Sequence, residues 1–202
     1  MVDSFASKAT NWDSPDKISM TDKFVAELLC HVTPTSSWKA LEIGTGTGLA
    51  GLQIEPLVDH LVLEDTSASM LEVLKQKLNG NSKVEVLHGE VFDYTKRDIN
   101  LIFSCMAFHH IPDTLRTVKH MASIMLPGAW VVIGDLESED GSFHGFEPIP
   151  HRGFDTSLLS GLFVQAGFDV KLVKTYNVMS KTLETVKTDY NQFMLVAQLT
   201  EH

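Results

Sequence analysis

The sequence has no run of about 18 apolar residues, the length a membrane-crossing helix requires. It has two cysteines, Cys30 and Cys105, far apart and outside any CxxC spacing. That number gives no disulfide framework, and both are expected to be small buried hydrophobes. Basic residues are scarce, with 16 Lys plus Arg against 26 Asp plus Glu and a formal net charge of −10. This deficit argues against the phosphate-neutralising contacts that carry nucleic-acid affinity. It also leaves no polybasic patch for an anionic membrane. The opening residues, Met1 to Lys8, lack a basic stretch followed by an apolar one, so no export signal is expected. With so few cysteines, a reducing cytoplasm is the expected compartment, and neither nucleic acid nor membrane is an expected partner. Internal repeats and low-complexity segments are absent.

What remains is an ordinary soluble composition. The 202 residues are 44% hydrophobic and 21% charged, enough for one domain with a real core. The polar, turn-rich residues 3–20 lead into a helix, with Ser14 as cap, Pro15 in the first position and Ile18, Phe24, Val25, Leu28 and Leu29 on one face. Short apolar strands then alternate with helices: strands at 39–43, 60–64, 84–88, 100–104 and 130–134, helices at 49–57, 67–79 and 113–125. Leu126-Pro127-Gly128 reads as a turn before the fifth strand. Such alternation calls for a parallel sheet covered on both faces, wound with right-handed crossovers. A helix at 155–166 follows, then strands at 170–178 and 192–199 with a polar connection between them. The expected fold is therefore α/β, a Rossmann-like doubly wound sheet of seven strands, mostly parallel with an antiparallel C-terminal hairpin. Residues 1–36 are expected to form a helical lid segment and 37–202 the main domain.

The informative segment is Leu41-Glu42-Ile43-Gly44-Thr45-Gly46-Thr47-Gly48. Glycines directly after a strand let the backbone turn tightly and approach a ligand. A dinucleotide site would need GxGxxG. From Gly44 the third glycine falls on Leu49; the frame Gly46, Gly48, Gly51 matches but starts two residues beyond the strand. Glu42, at the strand's carboxyl end and read as facing the cofactor, would repel a pyrophosphate and suit a cofactor with a cationic amino group.

These residues resemble motif I, E/D-x-G-x-G-x-G, of class I S-adenosylmethionine-dependent methyltransferases. Leu61-Val62-Leu63-Glu64-Asp65-Thr66-Ser67-Ala68-Ser69-Met70-Leu71 resembles that family's second-strand segment, which implies Asp65 as the ribose acid, with Glu64 as the competing candidate, and Thr66 and Met70 near adenine. His88-Gly89-Glu90-Val91-Phe92 resembles the segment after the third strand, with Glu90 in place of the usual Asp and the backbone of Val91 beside the ring. Asn100 to Ile111 resembles the fourth-strand segment ending in His-His, with Asn100 where Asp is common and Ser104 on the cofactor side. Leu126-Pro127-Gly128-Ala129 and Ala166-Gly167-Phe168 resemble the segments before the fifth strand and the terminal hairpin. The resemblance covers about residues 20–200 and includes the ubiquinone- and menaquinone-biosynthesis type.

The resemblance implies binding of S-adenosylmethionine by Glu42, Gly44, Thr45, Gly46, Gly48, Asp65, Thr66, Met70, Glu90, Val91 and Ser104. S-adenosylhomocysteine would be the product and a small molecule the methyl acceptor, in a monomer or homodimer. Histidine is the natural general base where the acceptor must lose a proton. His109 follows the fourth strand and His144 lies in the irregular segment 137–153, so these two are the catalytic candidates. His109, His110, His144 and His151 fit no metal-ligand spacing template, and no metal is expected. Trp12 is read either as part of a lid or as surface packing, and Phe24 as helix packing. A non-catalytic cofactor- or partner-binding module and an NAD-dependent oxidoreductase are the rival readings.

Overall fold

The computed structural model describes residue 3, residues 5–183 and residues 186–200. Its centre is a seven-stranded sheet in the order β3-β2-β1-β4-β5-β7-β6. The strands are β1 (Lys39–Ile43), β2 (His60–Asp65), β3 (Val84–His88), β4 (Ile99–Cys105), β5 (Met125–Leu136), β6 (Phe168–Leu183) and β7 (Val186–Leu199). The first five run parallel; β7 is antiparallel to both β5 and β6. Helices α1 (Pro15–His31), α2 (Gly51–Ile54) and α3 (Ala68–Leu78) cover one face, α4 (Thr114–Ile124) and α5 (Thr156–Gln165) the other. No helix among the described residues is long and apolar enough to cross a membrane.

The central strands are apolar along nearly their whole length because both faces are covered. In β1, Leu41 and Ile43 face α4 and α5, whereas Ala40 faces α1 to α3. Local signals set the helix starts. Asp113 accepts from Arg116 N–H at the start of α4, Asp155 from the Ser157 and Leu158 N–H groups at α5, and Ser67 from Met70 N–H at α3. Ser14 occupies the cap position of α1 without a side-chain cap bond, and Pro15 alone supplies the start signal.

Four expectations are corrected. The helix expected at 49–57 is one α-helical turn, α2, continued by a 3-10 turn at Glu55–Leu57, because Pro56 cannot donate to the α-helical ladder. The fifth strand begins at Met125, so the expected turn at 126–128 lies inside it, accommodated by a register shift against Ile99 and Leu101. The polar stretch expected to connect the last two strands is itself strand, with pairing from Phe168 opposite Leu199 to Leu183 opposite Val186. Cys30 is exposed on α1 and so departs from the expected pair of buried hydrophobes, whereas Cys105 packs against the core cluster.

Helix α1, placed in the lid segment by sequence, is core structure. Phe24, Val25 and Leu28 are buried in one cluster with Val132 of β5 and Met194 and Val196 of β7. Phe24 sits on Gly134, where an added Cβ would come within 2.4 Å of its ring, and its edge meets Tyr176 at 6.2 Å. Phe24→Ala is expected to cost about 3–5 kcal/mol in urea unfolding. A loss below about 1 kcal/mol would show that α1 is not part of the cooperative core.

Candidate functional site

Strands β1 and β4 are neighbours, but their chains leave for opposite faces, β1 to α2 and β4 to α4. The crevice between two such carboxyl ends is where doubly wound sheets bind ligands. The turn after β1 forms one wall. Gly44, Gly46 and Gly48 all have positive φ, at 68°, 55° and 84°, a region L side chains rarely enter. The turn after β4 forms the other wall and touches the first: a methyl on Gly44 would come 2.3 Å from Ala107 Cβ. Met106, just before, takes φ 55° and donates its N–H to the Gly134 carbonyl.

Three carboxyl groups close on the glycine turn. Gly44 N–H donates to Glu64 Oε2 at 3.3 Å and Gly46 N–H to Asp65 Oδ2 at 2.7 Å, while Thr45 N–H donates to the Glu64 carbonyl at 2.8 Å. From below, Glu42 Oε2 accepts the Thr45 hydroxyl at 2.6 Å. Glu42 is 2% exposed, so it lies under the turn and does not face the crevice as the sequence reading placed it. Burial pushes its carboxyl up to about 8, against the pull of the Thr45 hydroxyl and Gly51 N–H. Glu64 is also raised, by burial and by the charge of Asp65. Asp65, at the strand end, stays half-exposed; burial raises it, and hydrogen bonds from Ser67 and Gly46 oppose that.

The N-terminal residues lie over this turn. Asp3 accepts from the Ser69 hydroxyl at 2.6 Å, the Ser69 N–H at 3.0 Å and the Ser67 hydroxyl at 2.9 Å. Those bonds hold its carboxyl down to about 2. Asp13 accepts the Thr47 hydroxyl at 2.5 Å and pairs with Lys77 at 2.6 Å. Between these anchors the edge of the Phe5 ring meets Trp12 at 5.7 Å and His110 at 5.6 Å, and the Trp12 indole nitrogen lies 3.7 Å from where a Cβ on Gly46 would stand.

Beyond Phe5 lies a histidine cluster. His109 Nδ1 is 2.6 Å from Asp135 Oδ1, and the two side chains are 1% and 0% exposed. The other oxygen of Asp135 accepts His109 N–H at 3.0 Å. His109 Nε2 faces His144 Nε2 at 3.2 Å, and the His109 and His110 rings lie 4.2 Å apart. Burial, with the charge of His109 beside them, pushes His110 and His144 down to about 4. His144 sits in a 3-10 turn, Ser142–His144, held by Ser142 Oγ on Tyr190 and by Lys181, which donates to the Phe143 carbonyl and lies over the Phe143 ring. His151 stands apart, paired with the Ile111 and Pro112 carbonyls.

Of the residues expected to hold cofactor, Gly44, Thr45, Gly46, Gly48 and Asp65 form the turn and its border. Thr66 and Glu90 are exposed beside it, whereas Met70 and Val91 are buried. Ser104 is fully buried and its hydroxyl is committed to the Ile43 carbonyl, so it ties β4 to β1 behind the turn. Sequence reasoning missed Asp3, Phe5, Asp135 and Lys181. Asp135 carried a usable signal, an acid at the end of an apolar strand, the same one that marked Asp65. The other three carried none.

Residues 40–128 match the family model described as a methyltransferase domain. Over these residues the chain is similar to methyltransferases. An uncharacterized methyltransferase of Oceanobacillus iheyensis is 30% identical over 134 residues, 63% of this chain and 62% of that relative. A demethylmenaquinone methyltransferase of Clavibacter sepedonicus is 24% identical over 126 residues, 61% of this chain and 49% of that relative. This chain thus spans about half to three fifths of the length of curated relatives it matches. Among solved structures, a SAM dependent methyltransferase from Aquifex aeolicus superposes with TM-score 0.74 at 19% identity, over 96% of this chain and 98% of that one. A Haloferax volcanii chain solved in complex with a methyltransferase activator gives TM-score 0.82 at 15% identity over 100% of both. At such identities the likeness is one of fold.

The buried Glu42 yields a pH test. In the folded state it holds a proton up to about pH 8, whereas an unfolded glutamate releases it near 4.5. Its contribution to stability is therefore full below the unfolded value and is lost as pH rises towards 8. Glu42→Gln, which carries no charge to bury, is expected to gain on the parent steadily between pH 5 and 8 in urea unfolding. A difference that stays flat with pH would show that Glu42 is ionised in the fold.

Proposed function

We propose that the chain transfers a methyl group from S-adenosylmethionine to a small-molecule acceptor. One observation carries the choice of cofactor. The N–H groups of the glycine turn already donate to Glu64 and Asp65, so the donors a pyrophosphate would need are engaged by acids. An NAD-type ligand would meet carboxyl groups there. A cofactor with a cationic amino group and no phosphate suits the same wall.

The residues present fit such a cofactor. Gly44 and Gly46 lack the Cβ atoms that would fill the crevice, and the half-exposed Asp65 borders it. Asp65 is the residue proposed for the two ribose hydroxyls; Glu64 is buried and engaged with Gly44. Glu90 and Thr66, exposed beside it, are proposed for the adenine side, with Val91 and Met70 beneath. Glu42 acts through the turn it supports. When bound, S-adenosylmethionine supplies a sulfonium methyl with an activated leaving group.

The chain's own work is then positioning and exclusion of water. Phe5 and Trp12 cover the crevice, and Phe143, Lys181 and the turn at 142–144 wall the acceptor side. His109 and His144 are the pair proposed to take a proton from an acceptor that must lose one. Asp135 orients His109, and the low pKa of His144 leaves its ring neutral at pH 7.

Thermal melting tests the reading. S-adenosylmethionine and S-adenosylhomocysteine are expected to raise the melting temperature and NAD to leave it unchanged. Asp65→Ala is expected to weaken S-adenosylhomocysteine binding by at least about tenfold, the loss of a charged hydrogen bond to sugar. Stabilisation by NAD alone would overturn the proposal, and unchanged affinity in Asp65→Ala would overturn the ribose assignment. Release of S-adenosylhomocysteine across a metabolite screen distinguishes an enzyme from a binding module.

A further inference from the structure

His109, His110 and His144 come from two loops that are distant in sequence, yet one ring nitrogen from each lies within 4.8 Å of the others. The closest pair, His109 Nε2 and His144 Nε2, stands 3.2 Å apart. Two nitrogens bound to one Zn2+ at about 2.0–2.1 Å, on neighbouring corners of a tetrahedron, are about 3.3–3.4 Å apart. This pair already has the edge length of a tetrahedral site. The third nitrogen reaches it by a shift of little more than about an ångström, within the range of an imidazole rotation.

The orientation of the rings points the same way. Asp135 Oδ1 is 2.6 Å from His109 Nδ1, and Leu136 N–H donates to the same oxygen at 2.7 Å. With Nδ1–H donating to the carboxylate, His109 Nε2 keeps its lone pair and turns it into the cluster, which is the carboxylate–histidine arrangement that steadies metal ligands. His144 Nδ1 is buried with no partner among the described residues, so no other bond on that ring competes for its orientation. Two other histidines behave differently. His120 bonds the Val91 and Tyr94 carbonyls and His151 the Ile111 and Pro112 carbonyls, as ring nitrogens with a structural task do. Among the described residues, ring nitrogens converge on one another in the three-ring cluster alone.

We propose that His109, His110 and His144 form a site for a divalent transition cation such as Zn2+, with Asp135 as the orienting carboxylate. Three imidazoles select a borderline metal over Mg2+ or Ca2+, which take oxygen ligands. Three protein ligands leave a fourth position for water or for an oxygen of the acceptor. In the loaded state the cation lowers the pKa of that oxygen, and the role given above to the His109–His144 pair passes to the metal. That catalytic role rests on the methyl-transfer reading; cation binding does not.

The test uses the untagged full chain, stripped with chelator and titrated with Co2+ and, separately, with Zn2+. One equivalent of Co2+ is expected to give the visible absorption of a low-coordinate nitrogen site, and Zn2+ to displace it. Mg2+ is expected to leave the spectrum unchanged. His144→Gln and His110→Gln, at half-exposed positions, are expected to abolish the coloured complex while the far-ultraviolet dichroism stays native. Asp135→Asn is expected to weaken it about 10- to 100-fold. His151→Gln is expected to leave it intact. Absence of a one-equivalent complex overturns the site, as does a complex that survives the double substitution of His110 and His144 or disappears with His151. S-adenosylhomocysteine binding, measured on the same preparations, separates the two proposals: its failure with cation binding intact overturns the methyl-donor reading alone, and the reverse result overturns the cation site alone.

Discussion

Backbone donors at the end of β1 have to be satisfied, and acids from the neighbouring strand satisfy them. The Gly44 and Gly46 N–H groups find the Glu64 and Asp65 carboxyls and the Thr45 N–H the Glu64 carbonyl, while the Thr45 hydroxyl reaches Glu42 of β1 underneath. Burying carboxyl groups so close together is unfavourable unless they are hydrogen-bonded or neutral. Here they are both, with Glu42 and Glu64 pushed towards the protonated form. The result is a turn whose backbone donors at Gly44 and Gly46 are engaged by carboxyl groups of the chain itself. The covering residues depend on it too, since Asp13 is tied to Thr47 within the turn and Trp12 lies against Gly46.

Much of the architecture was legible because the physics is local. Short, near-continuous apolar strands alternating with helices allow one kind of sheet. The glycine turn was legible because three positive φ angles in five residues need glycine. The far half of the terminal hairpin was not, since polar residues such as Ser180, Lys181, Thr182, Lys187, Thr188 and Asp189 dominate it and leave no apolar run. The start of β5 was hidden by Pro127 and Gly128, which ordinarily end elements.

The candidate site divides along the same line. The wall proposed for the cofactor comes from consecutive residues after β1 and β2, so a motif carries it. The direction of Glu42 could not be read, because alternation along a strand assigns a face only when one face is wet, and β1 is covered on both. The histidine cluster joins positions 109, 110 and 144 through Asp135, and no spacing rule encodes a meeting of two loops at the end of β5. An acid closing a central strand proved the more informative sign than the histidine pair.

Strand β6 forms the outer edge of the sheet for sixteen residues, an open ladder of the kind that invites another chain. Its ladder to β7 is interrupted twice, between Val170 and Leu172 and between Thr175 and Asn177. Lys171 and Lys174 stand exposed along it. Irregularity and positive charge together spoil the edge as a template for a second strand. A chain with a surplus of acid thus sets two lysines, Lys171 and Lys174, along an edge whose interruptions disfavour fibrillar self-pairing.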